Sequence, residues 1–325
     1  MTSLSLNGFL NSAVTGSISG LRTQIADRAQ EATTGLQADL VGHLKGRIDQ
    51  ALLGDQAIKG NADDQARLEL REIRLTITTT AMESVHDITA GLQIAMQDAI
   101  GQAGDRAQDL VASDAKNALN DVLSRLGARH GERFLFSGDA TATRPFADAE
   151  VLLDDIRAIS AGATDEADFA AQVETYFDDP AGGFQTNFYQ GAQTASDSDS
   201  VLSNQSGFAD IFQGLAILAL AGSDEGIPFA RGDAPAMEQA LQRMEGGRTA
   251  IVDAQASVGL QLASIESEKS LLAREETLLH KAFTDLAGKD QYEAATQLKV
   301  LEANLEASYL LTSRLSNLSL LNYLR

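Results

Sequence analysis

The sequence predicts a mainly α protein. Long antiparallel helices from the N- and C-terminal parts form a coiled-coil-like bundle, with a small α+β module inserted in the middle. Three observations predict this. Apolar residues recur at helical spacing through both ends of the 325-residue chain. Only 4 prolines occur, so little breaks a long helix. Most of the aromatics fall between Phe146 and Phe229, where the heptad texture stops.

The N-terminal part carries Leu10, Val14, Ile18, Leu21, Ile25, Ala29, Ala32 and Leu36 on one helical stripe. Their steps of three and four give an eleven-residue repeat, which suits a nearly straight seam. Gly16, Gly20 and Gly35 each weaken an isolated helix by about 1 kcal/mol relative to Ala, so this helix needs a partner. A second helical stretch, Leu36 to Leu53, is interrupted by Gly42 and Gly46. Gly54 to Asp64 reads as a loop, with Asn61 or Asp63 capping the next helix. From Asp64 to Ile100 a helical stripe continues through Leu75–Thr80, although LTITTT alternates like a strand. Gly101 and Gly104 mark a break before a helix from Asp105 to Arg129.

The texture changes after Gly131. RFLFSG, Arg133 to Gly138, reads as a short β run and a turn. Between Asp139 and Pro235 the cations are Arg144, Arg157 and Arg231 against many carboxylates. The expected layout is therefore an N-terminal helical part at 1–138, an acidic α+β module at 139–234, and a C-terminal helical part at 235–325 that packs on the first. Within the module, Phe177 to Gly191 reads as turn and strand, Ser196 to Gly207 as linker, and Phe208 to Leu220 as a buried helix. From Pro235 a heptad runs without interruption from Met237 to Leu286, with polar Arg248, Gln255, Lys269 and Glu276 on its seam. At 1.5 Å per residue, such a helix spans on the order of 75 Å. Gly288 interrupts it and Asp290 caps the last helix, Gln291 to Arg325. That helix places Leu298, Leu301, Leu305, Leu311, Leu315 and Leu318 at helical spacing and runs on through Leu321 and Tyr323.

Composition narrows the function. The formal charge is 25 − 46 = −21, which argues against nucleic acid and anionic membranes, since phosphate binding needs clustered cations. With 0 cysteines there is no disulfide, thiolate metal site or cysteine nucleophile. The N-terminus lacks the basic and apolar regions of a cleaved Sec signal, and no apolar run is long enough for a membrane span. Catalytic signatures are absent. There is no phosphate-binding G-x-x-x-x-G-K-[ST], and GSISG at Gly16–Gly20 has the wrong spacing for a nucleophile elbow. His43, His86, His130 and His280 are scattered, and the Asp63–Asp64 and Asp197–Asp199 pairs lack the Gly and terminal Glu of a calcium loop. No enzyme activity, cofactor or metal is expected. What remains is surface: the apolar seams at both termini.

Five stretches share a resemblance: QIADRAQEATTGLQ near the start, ERFLFSG at Glu132–Gly138, GRTAIVDAQASVGLQL at Gly247–Leu262, KDQYEAATQLKVLEANLEASY, and the closing LEANLEASYLLTSRLSNLSLLNYLR. Together they resemble the bacterial flagellin superfamily over about residues 1–138 and 235–325. ERFLFSG resembles the motif of the hook-associated protein 3 family, the hook–filament junction proteins. The resemblance implies an extracellular, non-enzymatic axial protein of the flagellum, exported without a cleaved signal through the flagellar type III channel. Its implied partners are copies of itself in a ring or tube, another hook-associated protein, flagellin subunits, and a cytoplasmic export chaperone on the C-terminal helix. The assembly surface is expected at Leu10, Val14, Ile18, Leu21 and Ile25 with Leu298, Leu301, Leu305, Leu311, Leu315, Leu318, Leu321 and Tyr323. Two other readings compete: a filament subunit, and a cytoplasmic coiled-coil scaffold.

Overall fold

Helices dominate the computed structural model, which describes residues 3–101, 105–192, 206–225, 227–231 and 235–323. In order, they are α1 (Ser3–Thr34), α2 (Leu40–Leu44), α3 (Ile48–Gly101), α4 (Asp105–Leu126), α5 (Ala149–Gly162), α6 (Glu166–Asp178), α7 (Ser206–Ala219), α8 (Pro235–Ala287) and α9 (Gln291–Tyr323). Two short strands, β1 (Arg129–His130) and β2 (Arg133–Phe134), pair antiparallel. The chain divides into two compact units, Met1–Ala66 with Lys269–Arg325, and Arg67–Glu268.

LTITTT is helical, as its flanking phase requires. Inside α3 the hydroxyls of Thr76, Thr79 and Thr80 donate to the carbonyls of Glu72, Leu75 and Thr76 at 2.9–3.0 Å. This removes the polarity that opposes threonine in a helix. At Gly54–Asp64 the structure departs from expectation, because the whole segment lies inside α3. Its polar residues face a neighbouring helix instead of capping. Asn61 is buried and its Nδ2 donates to the Leu272 carbonyl at 3.1 Å. Gln65 Nε2 donates to Asn61 Oδ1 at 2.7 Å and to Glu276 Oε2 at 2.9 Å. Gly54 lies beside Phe283, whose ring would be in ordinary van der Waals contact with an added Cβ, at 3.4 Å. Tertiary contacts of this kind outweigh the low helix propensity of glycine and asparagine.

The heptad seam of α8 is followed by burial. In the second unit Met237, Met244, Ile251, Val258 and Ile265 are buried. The polar seam residue Arg248 donates to Gln93 Oε1 at 2.7 Å, which fixes the register of α8 on α3 there.

The second unit's core is aromatic at one end. Phe146 has five ring neighbours: Phe184, Phe188, Tyr189, Phe208 and Phe212, with centroids 4.8–6.4 Å away. Backbone bonds hold it there, Ala147 N donating to Phe188 O at 2.9 Å and Gln190 N to Pro145 O at 2.8 Å. Phe184–Phe188 is a single π-helical turn where a strand is expected. The wider turn lets Phe184 and Phe188 both point into the core, each fully buried.

RFLFSG closes this end of the unit. Phe136 enters the core, Ser137 Oγ donates to Thr143 O at 2.6 Å, and Gly138 takes φ 58°. α7 crosses α8 at very short range. A Cβ at Gly247 would meet Gly207 O and Ile211 Cγ1 at 2.7 Å, and one at Gly214 would meet Met244 Cβ at 2.9 Å. Arg243 on α8 then reaches Asp178 and Glu174 of α6 and Asp210 of α7, at 2.6, 3.2 and 2.8 Å. Burial raises the Asp210 carboxyl above the usual range despite that arginine.

Two outcomes follow from this packing. Gly247→Ala should destabilise the second unit by about 1–3 kcal/mol, because the new methyl meets backbone; denaturant unfolding followed by circular dichroism measures it. The second outcome concerns acid. Asp109 is held below the usual carboxylate range by the Ser223 N–H and hydroxyl and by Arg231. Glu225 is also held low, by Arg157 and Lys116 against the opposing effect of burial. A lowered folded pKa gives stability above the unfolded value that is lost as pH falls through the folded one, so the melting temperature should drop between pH 5 and pH 3. Asp109→Asn should shrink that drop, and an unchanged drop would contradict the assignment.

Candidate assembly interface

The terminal helices are held together first by backbone. α1 ends at Thr34, and Gly35 at φ 69° turns the chain aside. Residues just beyond α1 and α8 then pair: Leu36 and Gly288 form an antiparallel bridge, Gln37 N donates to Ala287 O at 2.9 Å, and Lys289 N donates to Gly35 O at 2.8 Å. Asp290 caps α9 as expected, its Oδ1 accepting from Tyr292 N at 2.8 Å and Glu293 N at 3.2 Å. Glu31 is buried at the end of α1, where its carboxylate accepts from Ala38 N at 3.1 Å and pairs with Arg28.

From this knot α1 and α9 pack along each other. Ala294 is fully buried one turn into α9. Ile18, Leu21 and Ile25 on α1, and Leu298, Leu301 and Leu305 on α9, are all half-buried. Farther along, the Arg22 guanidinium donates to Tyr309 Oη at 2.6 Å and lies 5.9 Å from that ring's centroid. Seven leucine-type positions of the expected seam are therefore placed, six of them facing the partner helix. Leu311 is the exception: it is 60% exposed. The step from Leu305 to Leu311 is six residues, about 600° of helical turn, which carries Leu311 away from the seam that Ser308 and Thr312 continue. The side chains of Leu10, Val14, Leu315, Leu318, Leu321 and Tyr323 lie outside the described residues.

Spacing alone does not reveal the second face of α9. Val300, Leu310 and Leu311 are 55%, 59% and 60% exposed. With Ala303 and Ala307 they form a stripe roughly opposite the α1-facing one. A count of apolar residues on both sides of the helix, rather than on one seam, is the signal that finds it.

Among the described residues no group of three or more His, Asp or Glu is placed to hold a metal ion, and no helix is long and apolar enough to cross a membrane. A shallow groove of about 320 Å³ lies between α3 and α4, lined by Thr76, Ile77, Thr80, Ala81, Ser84, Ser124, Arg125 and Ala128. The Thr76, Thr80 and Ser84 hydroxyls donate to carbonyls of their own helix, so they present methyl and methylene groups to it.

Replacing Leu301 by Asp should free α1 from α9, since a carboxylate cannot be held in the half-buried seam. Trypsin should then cut after Arg22 and Arg28 about tenfold faster or more, as expected when an opening costs over 1.4 kcal/mol less. Unchanged cleavage would mean that the seam does not hold the helices.

No curated protein sequence matches the chain at a significant level. Among solved structures, it is similar to the Bacillus cereus FlgL crystal structure at 14% identity and a TM-score of 0.39, over 71% of this chain and 96% of that one. A family model described as the bacterial flagellin C-terminal helical region matches residues 241–324. That span holds most of α8 and all of α9, so the C-terminal side of the candidate interface lies within the matched region.

Proposed function

We propose that the chain is a structural axial protein of the bacterial flagellum, joining hook to filament through self-assembly of its terminal helices. The observation that carries this reading is α9. It matches the flagellin C-terminal helical region, it half-buries one apolar stripe against α1, and it leaves another in water. Burying a side chain such as Leu310 is worth about 1.5–3 kcal/mol, and contacts between copies supply that burial. The gain offsets the ordering cost of the terminal segments when they assemble.

The choice of junction over filament rests on the resemblance of ERFLFSG, Glu132–Gly138, to the hook-associated family. In this reading the chain acts without catalysis. It travels unfolded through the flagellar type III channel with a chaperone on its C-terminal helix, and contacts another hook-associated protein and flagellin subunits outside the cell.

Deleting Leu301–Arg325 tests the proposal. The truncated chain should remain folded and soluble yet fail to cap hooks, so that cells carrying it release flagellin instead of building filaments. Normal filament growth would overturn the reading. The filament-subunit reading draws on the same α9 and predicts long self-polymers when purified protein is added to filament seeds. A chain found in cytosol and absent from sheared flagella would favour a coiled-coil scaffold.

A further inference from the structure

Between the knot at Leu36 and the body of α3 runs a strap that is firmly held yet displays apolar side chains. Its hold is threefold. Leu44 is 1% exposed and Ala51 is 3% exposed. Asp39 caps α2, accepting from Gly42 N at 2.9 Å. Glu31 accepts from Ala38 N. The strap also stores strain: Lys45, at φ 44°, is the non-glycine residue with positive φ among those described, and Gly46 follows at φ 96°. A left-handed lysine costs about 1–2 kcal/mol and persists only where its surroundings impose it.

On this rigid support Val41, Ile48, Leu52 and Leu53 are 42–66% exposed. A small element that buried these side chains would be more stable, so their display has another use. The surrounding charge is unusual for a chain of −21: from Val41 to Leu53 the charged residues are Lys45, Arg47 and Asp49. Lys45 and Arg47 form no ion pair among the described residues.

We propose that this strap docks the outer face of α9 from a second copy of the chain. That face presents Val300, Leu310 and Leu311 to water, and the charges within Val300–Leu311 are Glu302 and Glu306 alone. Neither glutamate has an ion-pair partner among the described residues. Lys299 precedes the stretch and Arg314 follows it, so the acidic part is its centre. Apolar display and sign of charge thus match on both sides. Strap and stripe are different patches, so the contact is head-to-tail and builds a ring or helical array rather than a closed pair. The inference rests on the reading that the chain self-assembles, and it specifies which surfaces meet.

The absence of cysteine from the chain makes the test direct. Full-length Leu53→Cys and Leu310→Cys proteins are purified separately, checked for native helicity by circular dichroism, mixed and oxidised. A disulfide dimer containing one chain of each kind is expected. Leu53→Cys mixed with Leu110→Cys, which places the second thiol on exposed α4, should give none. Equal yields in the two mixtures, or no dimer in either, overturns the proposal. Charge reversal adds a second arm in assembly assays of the full chain. Lys45→Glu with Arg47→Glu should block assembly, and Glu302→Lys with Glu306→Lys in the same chain should restore it. Assembly that ignores the strap reversal also overturns the contact. Whether the chain sits at the hook or elsewhere is read separately from sheared flagella. A strap-to-α9 crosslink in a chain absent from flagella would spare this contact and sink the flagellar role.

Discussion

Two short backbone hydrogen bonds set the geometry of the terminal unit. Gln37 N to Ala287 O and Lys289 N to Gly35 O join points more than two hundred residues apart in sequence. They lie beside the ends of α1 and α8, where carbonyls would otherwise be orphaned. Gly35 makes the turn possible with its positive φ, and Gln291 Nε2 adds a bond to Thr33 O at 3.4 Å. Once this knot is tied, α1 and α9 must run side by side, and their half-buried stripes must meet. The pairing of distant helices thus follows from a local event, whose loop-closure cost grows only slowly with the length of chain enclosed.

The second unit obeys a different constraint, close approach. α7 is apolar on nearly every side and fully enclosed from Leu215 to its end at Ala219. It reaches α8 because Gly207, Gly214 and Gly247 carry no Cβ. The same proximity brings Arg243 within reach of three carboxylates on α6 and α7. Its charge is partly desolvated there, and truncating it would leave the half-buried Asp210 carboxylate unpaired, a costly arrangement.

Much of this was legible in the sequence, and the reason is periodicity. The steps of three and four that run from Leu10 to Leu36, and the heptad from Met237 to Leu286, specify helices and a face at once. The burial of Met244, Ile251, Val258 and Ile265 follows that heptad residue by residue. Gly54–Asp64 was not legible, because its glycines and carboxylates read as a loop until Asn61 is seen to donate across to Leu272. A side chain that serves a distant helix leaves no local trace. Leu311 teaches the complementary lesson. It is apolar and helical, yet a step of six residues moves it to the opposite face, where no intrachain partner explains it. The π-helical turn at Phe184–Phe188 was hidden for a third reason: two phenylalanines four residues apart fit several local conformations, and only the ring cluster around Phe146 selects one.

RFLFSG shows how a motif known by resemblance acquires physical content. Phe136 is needed as a core ring, stacked edge-on to Phe208 at 5.8 Å. Ser137 is needed because its hydroxyl closes the turn on Thr143 while its carbonyl accepts from Ala192 N at 3.0 Å. Gly138 is needed because a side chain at φ 58° is strained. Phe134 ties the turn to Thr141 through its N–H at 2.8 Å and lies under the Arg129 guanidinium. Each of these roles is satisfied inside the second unit. The motif therefore governs how the segment after α4 folds back. Where the protein stands in an assembly must be decided by surfaces that a single chain leaves unsatisfied. In the terminal unit these are the outer stripe of α9 and the strap from Val41 to Leu53, and both remain apolar and exposed when all the intrachain bonds have been made.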